Sequence, residues 1–318
     1  MIDEVTSLQQ TRRLTEGAIL SAVFVVMLLL SVFVPFLSAV LIWFLPLPFI
    51  IFVIRHDWKS GLIMAVVSLL LSSFIALIGL PFALLAAIGG VTTGELIRRK
   101  KEALMVLAGS SIAYIAVLVL LYAGSILLFD IDPLASMQDV MRQSTQQAES
   151  MLESFGQETS ENMVVWQDMI DQIVKMGPLL IVFTGIAFAL ITQLIAQAIL
   201  RRLQIKAEAF PPLRDWNFPR SLLWYYLVIS IIYWIGVEEG TAMDIVTWNL
   251  FPLLEVAMAL QGFTVVFHYC YIKSVPKAIP VILMIFGIVS PFVLLLARIL
   301  GIIDLGFQLK KRLKSDTK

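Results

Sequence analysis

Residues 17–54 carry no charged side chain, and that run restricts what the chain can fold into more than any other feature. A membrane-spanning helix needs about 20 consecutive apolar residues, so the run is long enough for two. Proline lacks a backbone donor and disfavours helix in the residue before it, which puts the break between Val34 and Pro35. Arg12 and Arg13 precede the first span, and Arg55, His56 and Lys59 follow the second. Basic residues gather on the cytoplasmic side, so both ends of this hairpin, and the N-terminus with them, are expected there. Residues 17–34 also lack the small-residue exit of a cleaved signal, so the first span is expected to be a retained anchor.

The remaining apolar runs, 61–80, 82–97, 103–129, 178–200, 221–237, 245–272 and 279–303, bring the expected total to eight or nine spans. With 59% hydrophobic and only 14% charged residues, the chain lies outside the soluble range. The expected fold is therefore all-α, a polytopic membrane bundle in the bacterial cytoplasmic membrane. The span at 82–97 is rich in small residues (Ala86, Ala87, Gly89, Gly90, Gly94). These let helix backbones come close, so it belongs inside the bundle. Residues 130–177 are acidic and polar, and Leu134, Met137, Met141, Ala148, Leu152 and Phe155 recur at helical spacing, as do Met163, Trp166, Ile170 and Ile173. An extracytoplasmic amphipathic helical hairpin is expected there, turning at residues 156–160 with Ser160 as a cap; a disordered loop is the alternative.

The organisation then reads as a five-span N-terminal half (1–129), the acidic insertion (130–177), a sixth span (178–202), a cytoplasmic connector (203–220), C-terminal spans (221–303) and a basic tail (304–318). The tail conflicts with the charge rule. Nine crossings place Lys310, Lys311, Arg312 and Lys314 outside, unless the last apolar segment turns back at Pro291.

Charges and amides inside spans are expensive and are paired or functional. Glu255 and Arg298, read on antiparallel neighbours, fall at the same depth and are expected to form an ion pair. Glu95 and Arg98 form a second, interfacial pair. Gln193 and Gln197 share one face of a helix, as do Gln261 and His268, and suit either interhelical hydrogen bonds or a polar pocket. Leu45-Pro46-Leu47-Pro48 marks either a kink or a wet cavity. Ala18 and Ala22, with Gly17 and Ser21 alongside, form a small-residue surface for a helix of this chain or of another. The lone Cys270 excludes an intrachain disulfide, and the separated His56 and His268 show no metal-ligand spacing. No nucleophile, phosphate loop or cofactor motif is present, so the chain is not expected to be an enzyme. Nor is there a basic stripe for nucleic acid.

From Thr15-Glu16-Gly17-Ala18 through the Leu-Pro-Leu-Pro stretch to Gly301-Ile302-Ile303-Asp304, the chain resembles the YybS-type family of bacterial multi-spanning membrane proteins. Its first six spans also resemble the S component of energy-coupling-factor transporters. Ala18 and Ala22 match the small-residue positions at which S components contact the transmembrane coupling subunit. The resemblance implies capture of a small solute from outside, in concert with that coupling subunit and ATPase subunits. No substrate signature carries over from it; a pocket is expected among spans four to six in the outer half, with Tyr114, Tyr122, Gln193 and Gln197 as candidate ligand-lining residues. The acidic insertion and the spans after Arg202 have no counterpart in S components. The alternative function is a membrane scaffold or regulatory protein acting through protein contacts.

Overall fold

The computed structural model describes residues 2–75, 77–154, 166, 170 and 172–315, and every regular element among them is helical. The chain runs through α1 (Ile2–Phe33), α2 (Pro35–Leu41), α3 (Leu47–Arg55), α4 (Trp58–Ile75), α5 (Leu80–Arg98), α6 (Ala103–Phe129) and α7 (Pro133–Ser154). It continues through α8 (Gly177–Arg202), α9 (Ser221–Ile235), α10 (Ala242–Ile272), α11 (Ala278–Val289), α12 (Pro291–Phe307) and α13 (Leu309–Ser315). Five stretches, 10–33, 77–98, 103–129, 177–202 and 242–272, are long and apolar enough to cross a bilayer, and α11 with α12 makes a sixth if that bent pair counts as one span. The other expected spans are shorter or broken. α4 ends at Ile75, and a 3-10 turn over Leu77–Gly79 leads into Pro81 in the first turn of α5. Residues 35–55 divide into α2 and α3. Of the acidic hairpin, the first arm is α7, a helix with no buried residue, and Met137 and Leu152 of its apolar stripe are exposed. The expected turn at 156–160, the Ser160 cap, Phe155 and Met163 lie outside the described residues.

The chain divides into two compact units, one of Met1–Met137 with Leu180–Phe210, the other of Gln138–Leu179 with Pro211–Lys318. In the first, α5 is the inner helix, packed on α3, α4 and α6, with Ala83, Ala86, Ala87, Gly89, Gly90, Thr93 and Gly94 buried. Its glycines set the spacing. A Cβ on Gly90 would fall 2.6 Å from the Pro46 carbonyl oxygen, and one on Gly94 3.0 Å from that of Ile50, so the α3 backbone lies directly against α5. The break before α3 is buried with it. Leu45, Leu47 and Pro48 are covered, and the Phe44 carbonyl, which Pro48 deprives of its i+4 donor, accepts the Leu47 N–H at 3.0 Å. This answers the demand that backbone freed by proline find a partner at membrane depth.

The second unit is built on the extensive packing of α10 against α12. A Cβ on Gly262 would collide with the Ala297 carbonyl, and one on Gly301 with the Met258 carbonyl. The pairing order corrects the antiparallel arrangement expected from sequence. Glu255 meets Arg298 and Gln261 meets Asp304, followed by Thr264 with Lys310, so residue numbers rise together and the two helices run in the same direction through their crossing at Gly262 and Gly301. The cause is the break at Ser290, where α11 and α12 bend by 114°. Phe263 from α10 and Met284 from α11 pack with Ala297 inside that bend. α12 therefore returns the chain toward the end of α10 that bears Lys273, and Lys310 of α13 is bonded to Thr264 of α10 at 2.9 Å. The basic tail lies at that end, not beyond the opposite one.

Two outcomes follow from this packing. Gly301→Val is expected to destabilise the detergent-solubilised chain by about 1–3 kcal/mol or more through overpacking, read from denaturant unfolding. Gly124→Ala, where nothing lies within 4 Å, should be neutral by the same measurement. In a Cys270→Ser background, membrane-impermeant thiol reagents should reach Lys311→Cys and Lys277→Cys from one face of the bilayer and Glu239→Cys from the other. Labelling of Lys311→Cys together with Glu239→Cys would contradict the turn-back at Ser290.

Candidate functional site

The two small-residue lines on α1 face different ways. A Cβ on Gly17 would meet the Phe52 ring at 3.3 Å, and Ser21 is buried and accepts the Ser68 hydroxyl at 3.2 Å. Ala18 and Ala22 are exposed, flanked by the exposed Ile19, Val23 and Val26. A helix backbone could reach α1 along this strip without displacing a large side chain, since alanine adds only a methyl group. At the basic end of α1, Glu16 accepts Arg12 at 3.2 Å and lies 3.0 Å from His56 Nε2, while Arg13 meets Asp57 at 3.0 Å. Burial raises the Asp57 pKa, but bonds from Ser60 and the charge of Arg13 outweigh it and hold the carboxyl below its usual value. The charges read from sequence as membrane anchors are thus also ties between α1 and the α3–α4 turn.

Of the four candidate lining residues, Tyr114 and Gln193 are buried along one polar seam, and Tyr122 and Gln197 lie apart from it. Tyr114 is fully buried, donates to Thr192 Oγ1 at 3.2 Å, and lies so close to α5 that only glycine fits at position 89. Gln193, also buried, donates to the Ala103 carbonyl at 2.8 Å, and its Oε1 has no hydrogen-bond partner among the described residues. Thr93 and Ser110 complete this polar seam at 2.8 Å. Tyr122 is half-buried and reaches Asp132 Oδ1 at 3.4 Å. Gln197 donates to the Glu208 carbonyl at 2.9 Å and lines a groove with Arg201 and Lys206. Near the end of α5, Glu95 accepts from Arg98 at 2.7 and 2.9 Å and from Arg99 at 2.6 Å, as the spacing suggests.

In the second unit Glu255 and Arg298 do form an ion pair, each about one-quarter exposed. Two turns further along is a network that sequence spacing did not bring together. Asp304, 4% exposed, accepts Gln261 Nε2 at 2.6 Å through one oxygen and the Lys310 backbone N–H at 3.0 Å through the other. Gln261 also donates to Asn217 Oδ1 at 3.1 Å and accepts the Phe218 N–H at 3.0 Å. The Lys310 ammonium donates to the Trp216 carbonyl and to Thr264 Oγ1, and stands 3.9 Å from Asp304. Burial pulls the Lys310 pKa down, opposed by the charges of Asp304 and Asp215. A second tie joins Lys175 to Asp244 at 3.2 Å, and Asn249 bonds both the Lys175 carbonyl and the Leu179 N–H at 2.8 Å. The available signal was weak: an acid at the end of an apolar helix, six residues before a lysine.

Comparison with known proteins adds a family without an activity. Residues 22–305 match the family model described as "Predicted membrane protein (DUF2232)". The chain is 31% identical over 313 residues to a Bacillus subtilis (strain 168) protein described as "Uncharacterized protein YybS", covering 96% of this chain and the whole of the relative. No solved structure matches.

The Glu255–Arg298 pair should behave as a coupled unit. Glu255→Gln and Arg298→Met are each expected to lower stability. The double variant should recover part of the loss, with a coupling energy of about 0.5–3 kcal/mol in a denaturant-unfolding cycle. Simple additivity would show that the two charges stabilise independently.

Proposed function

We propose, from the premise that the chain belongs to the DUF2232 family of predicted membrane proteins, that its first unit is the membrane subunit of a larger assembly. It docks a transmembrane coupling partner along α1 and takes part in small-solute uptake, as S components do, while ATPase subunits elsewhere hydrolyse nucleotide. The observation that carries this reading is the outward strip of Ala18 and Ala22, set beside Gly17 and Ser21, which face inward. A small-residue line serving only internal packing would be covered by the chain's own helices. This one is not. The residues that resemble the S-component core, residues 1–129 and most of α8, also fall together in one compact unit. Gln193 Oε1 is a buried acceptor with no hydrogen-bond partner among the described residues. The chain then lies in the bacterial cytoplasmic membrane with its N-terminus inside, crossing eight times. That number follows if α11 and α12 together form a re-entrant segment, α2 and α3 together make one crossing, and the short α4 and α9 cross in locally thinned bilayer.

A second reading, a membrane scaffold or regulator, draws on α7. Its exposed Met137, Val140, Met151 and Leu152 form an apolar surface on an otherwise polar helix, suited to a protein partner.

Affinity purification in mild detergent separates the two. Under the uptake reading, a nucleotide-hydrolysing partner copurifies with the wild-type chain and falls at least tenfold with Ala18→Trp or Ala22→Trp, while the variant remains folded and monodisperse. Activity that survives those substitutions but is abolished by deleting 134–176 would favour the scaffold and reject the uptake reading.

A further inference from the structure

At the end of the second unit where α10, α12 and α13 meet, a cavity of about 200 Å³ is lined by Arg214, Arg220, Gln308, Lys310 and Lys311, with Asp215 and Asp304. An adjoining cavity of about 350 Å³ shares Arg220, Gln308 and Lys311 and adds Arg312 and Phe307. Cations outnumber carboxylates here, and the carboxylates are largely committed. Asp304 is bonded through both oxygens to Gln261 and the Lys310 N–H, and Asp215 lies 3.8 Å from Arg214. Lys310 and Arg214 are committed in turn, the first to Trp216 and Thr264, the second stacked 3.7 Å over the Tyr271 ring. Arg220 and Lys311 remain. Both are exposed, both line both cavities, and neither side chain has an ion pair among the described residues.

We propose that Arg220 and Lys311 bind a phosphate group across these cavities, that of an anionic phospholipid headgroup. Guanidinium and ammonium groups are the side chains that recognise phosphate, by paired donors and by charge. The apolar surroundings favour a lipid over a soluble anion. Phe307 is 63% exposed beside the cavity, and Trp224 and Tyr225 are 68% and 62% exposed one turn along α9 from Arg220. A basic cleft bordered by exposed aromatic residues fits a headgroup in the cleft with acyl chains against the rings, the pattern of a membrane–water boundary. A dissolved phosphate would make no use of those rings. This site uses none of the α1 residues and stands whether or not the first unit docks a coupling partner.

The full-length chain, purified in mild non-ionic detergent, is offered phosphatidylglycerol or phosphatidylcholine, washed, and its retained lipid measured by mass spectrometry. Separately, the delipidated chain is titrated with inorganic phosphate by calorimetry. The wild type is expected to retain phosphatidylglycerol over phosphatidylcholine. Arg220→Gln combined with Lys311→Gln should reduce that retention roughly tenfold or more, whereas Lys206→Gln leaves it unchanged. Lys311→Glu alone provides a second variant, and the unfolding midpoint of each shows that loss of lipid is not loss of fold. Phosphate binding without lipid selectivity, abolished by the double variant, would keep the phosphate site and reject the lipid as its source. Retention of phosphatidylglycerol by the double variant at the wild-type level, or a wild type that neither prefers phosphatidylglycerol over phosphatidylcholine nor binds inorganic phosphate, overturns the proposal.

Discussion

Close approach of helix backbones at glycine is the contact on which both units are built. Within a bilayer, lipid tails are as apolar as leucine, so helix association rests on van der Waals fit and interhelical hydrogen bonds, not on burial from water. Gly90 and Gly94 bring α5 onto α3. Gly262 and Gly301 do the same for α10 and α12. The polar contacts depend on this spacing. The Gln261–Asp304 bond at 2.6 Å joins side chains from two helices, and hydrogen bonds weaken steeply as they lengthen or misalign. Side chains at the glycine positions would push the axes apart and strand those groups in an apolar interior, where an unmade bond costs about 1–3 kcal/mol each.

The polar groups so held have different surroundings in the two units. In the first, Ser21 with Ser68, Thr93 with Ser110, and Tyr114 with Thr192 are neutral hydroxyl pairs between helices. They tie the bundle without placing charge in it. The second unit keeps charge: Glu255 with Arg298, Lys175 with Asp244, and Lys310 near Asp304. A charge pair survives inside a membrane protein only where partners and further hydrogen bonds offset desolvation. Asp304 meets that condition by accepting from Gln261 and the Lys310 backbone together.

What was legible in the sequence followed from local chemistry. Val34 is extended and Pro35 opens α2, because the proline rule acts on adjacent residues. α6 begins and ends where the apolar run does, with Asp130 in the left-handed region closing it. The inner position of α5 could be read because small side chains have few other uses in a span. The Glu255–Arg298 pairing was legible for a similar reason, since a charge at that depth has few alternatives. Its geometry was not. Pro291 announces a break but carries no angle, and the direction of α12 is set by Gly262 and Gly301 meeting opposite carbonyls. No local pattern records such a match. The Asp304–Lys310–Gln261 network was hidden for the same reason, as was the split between inward Gly17/Ser21 and outward Ala18/Ala22, which spacing alone leaves symmetrical.

The parallel course of α10 and α12 bears on how the last apolar segment can sit in a bilayer. α11 has 12 residues and rises about 18 Å, well short of a hydrocarbon core of about 30 Å. A turn into α12 inside the apolar layer requires its backbone polar groups to be satisfied. At Ser290 both are bonded: the N–H donates to the Phe286 carbonyl at 2.8 Å, and the carbonyl accepts the Leu294 N–H at 3.1 Å. Gly287 lies against the Phe263 ring of α10 and Val293 of α12, so the turn is shielded by protein on that side. A one-residue break with both its groups bonded lets α12 reverse at little cost. That reversal brings Lys310, Lys311 and Arg312 back toward the end of α10 that is followed by Lys273 and Lys277.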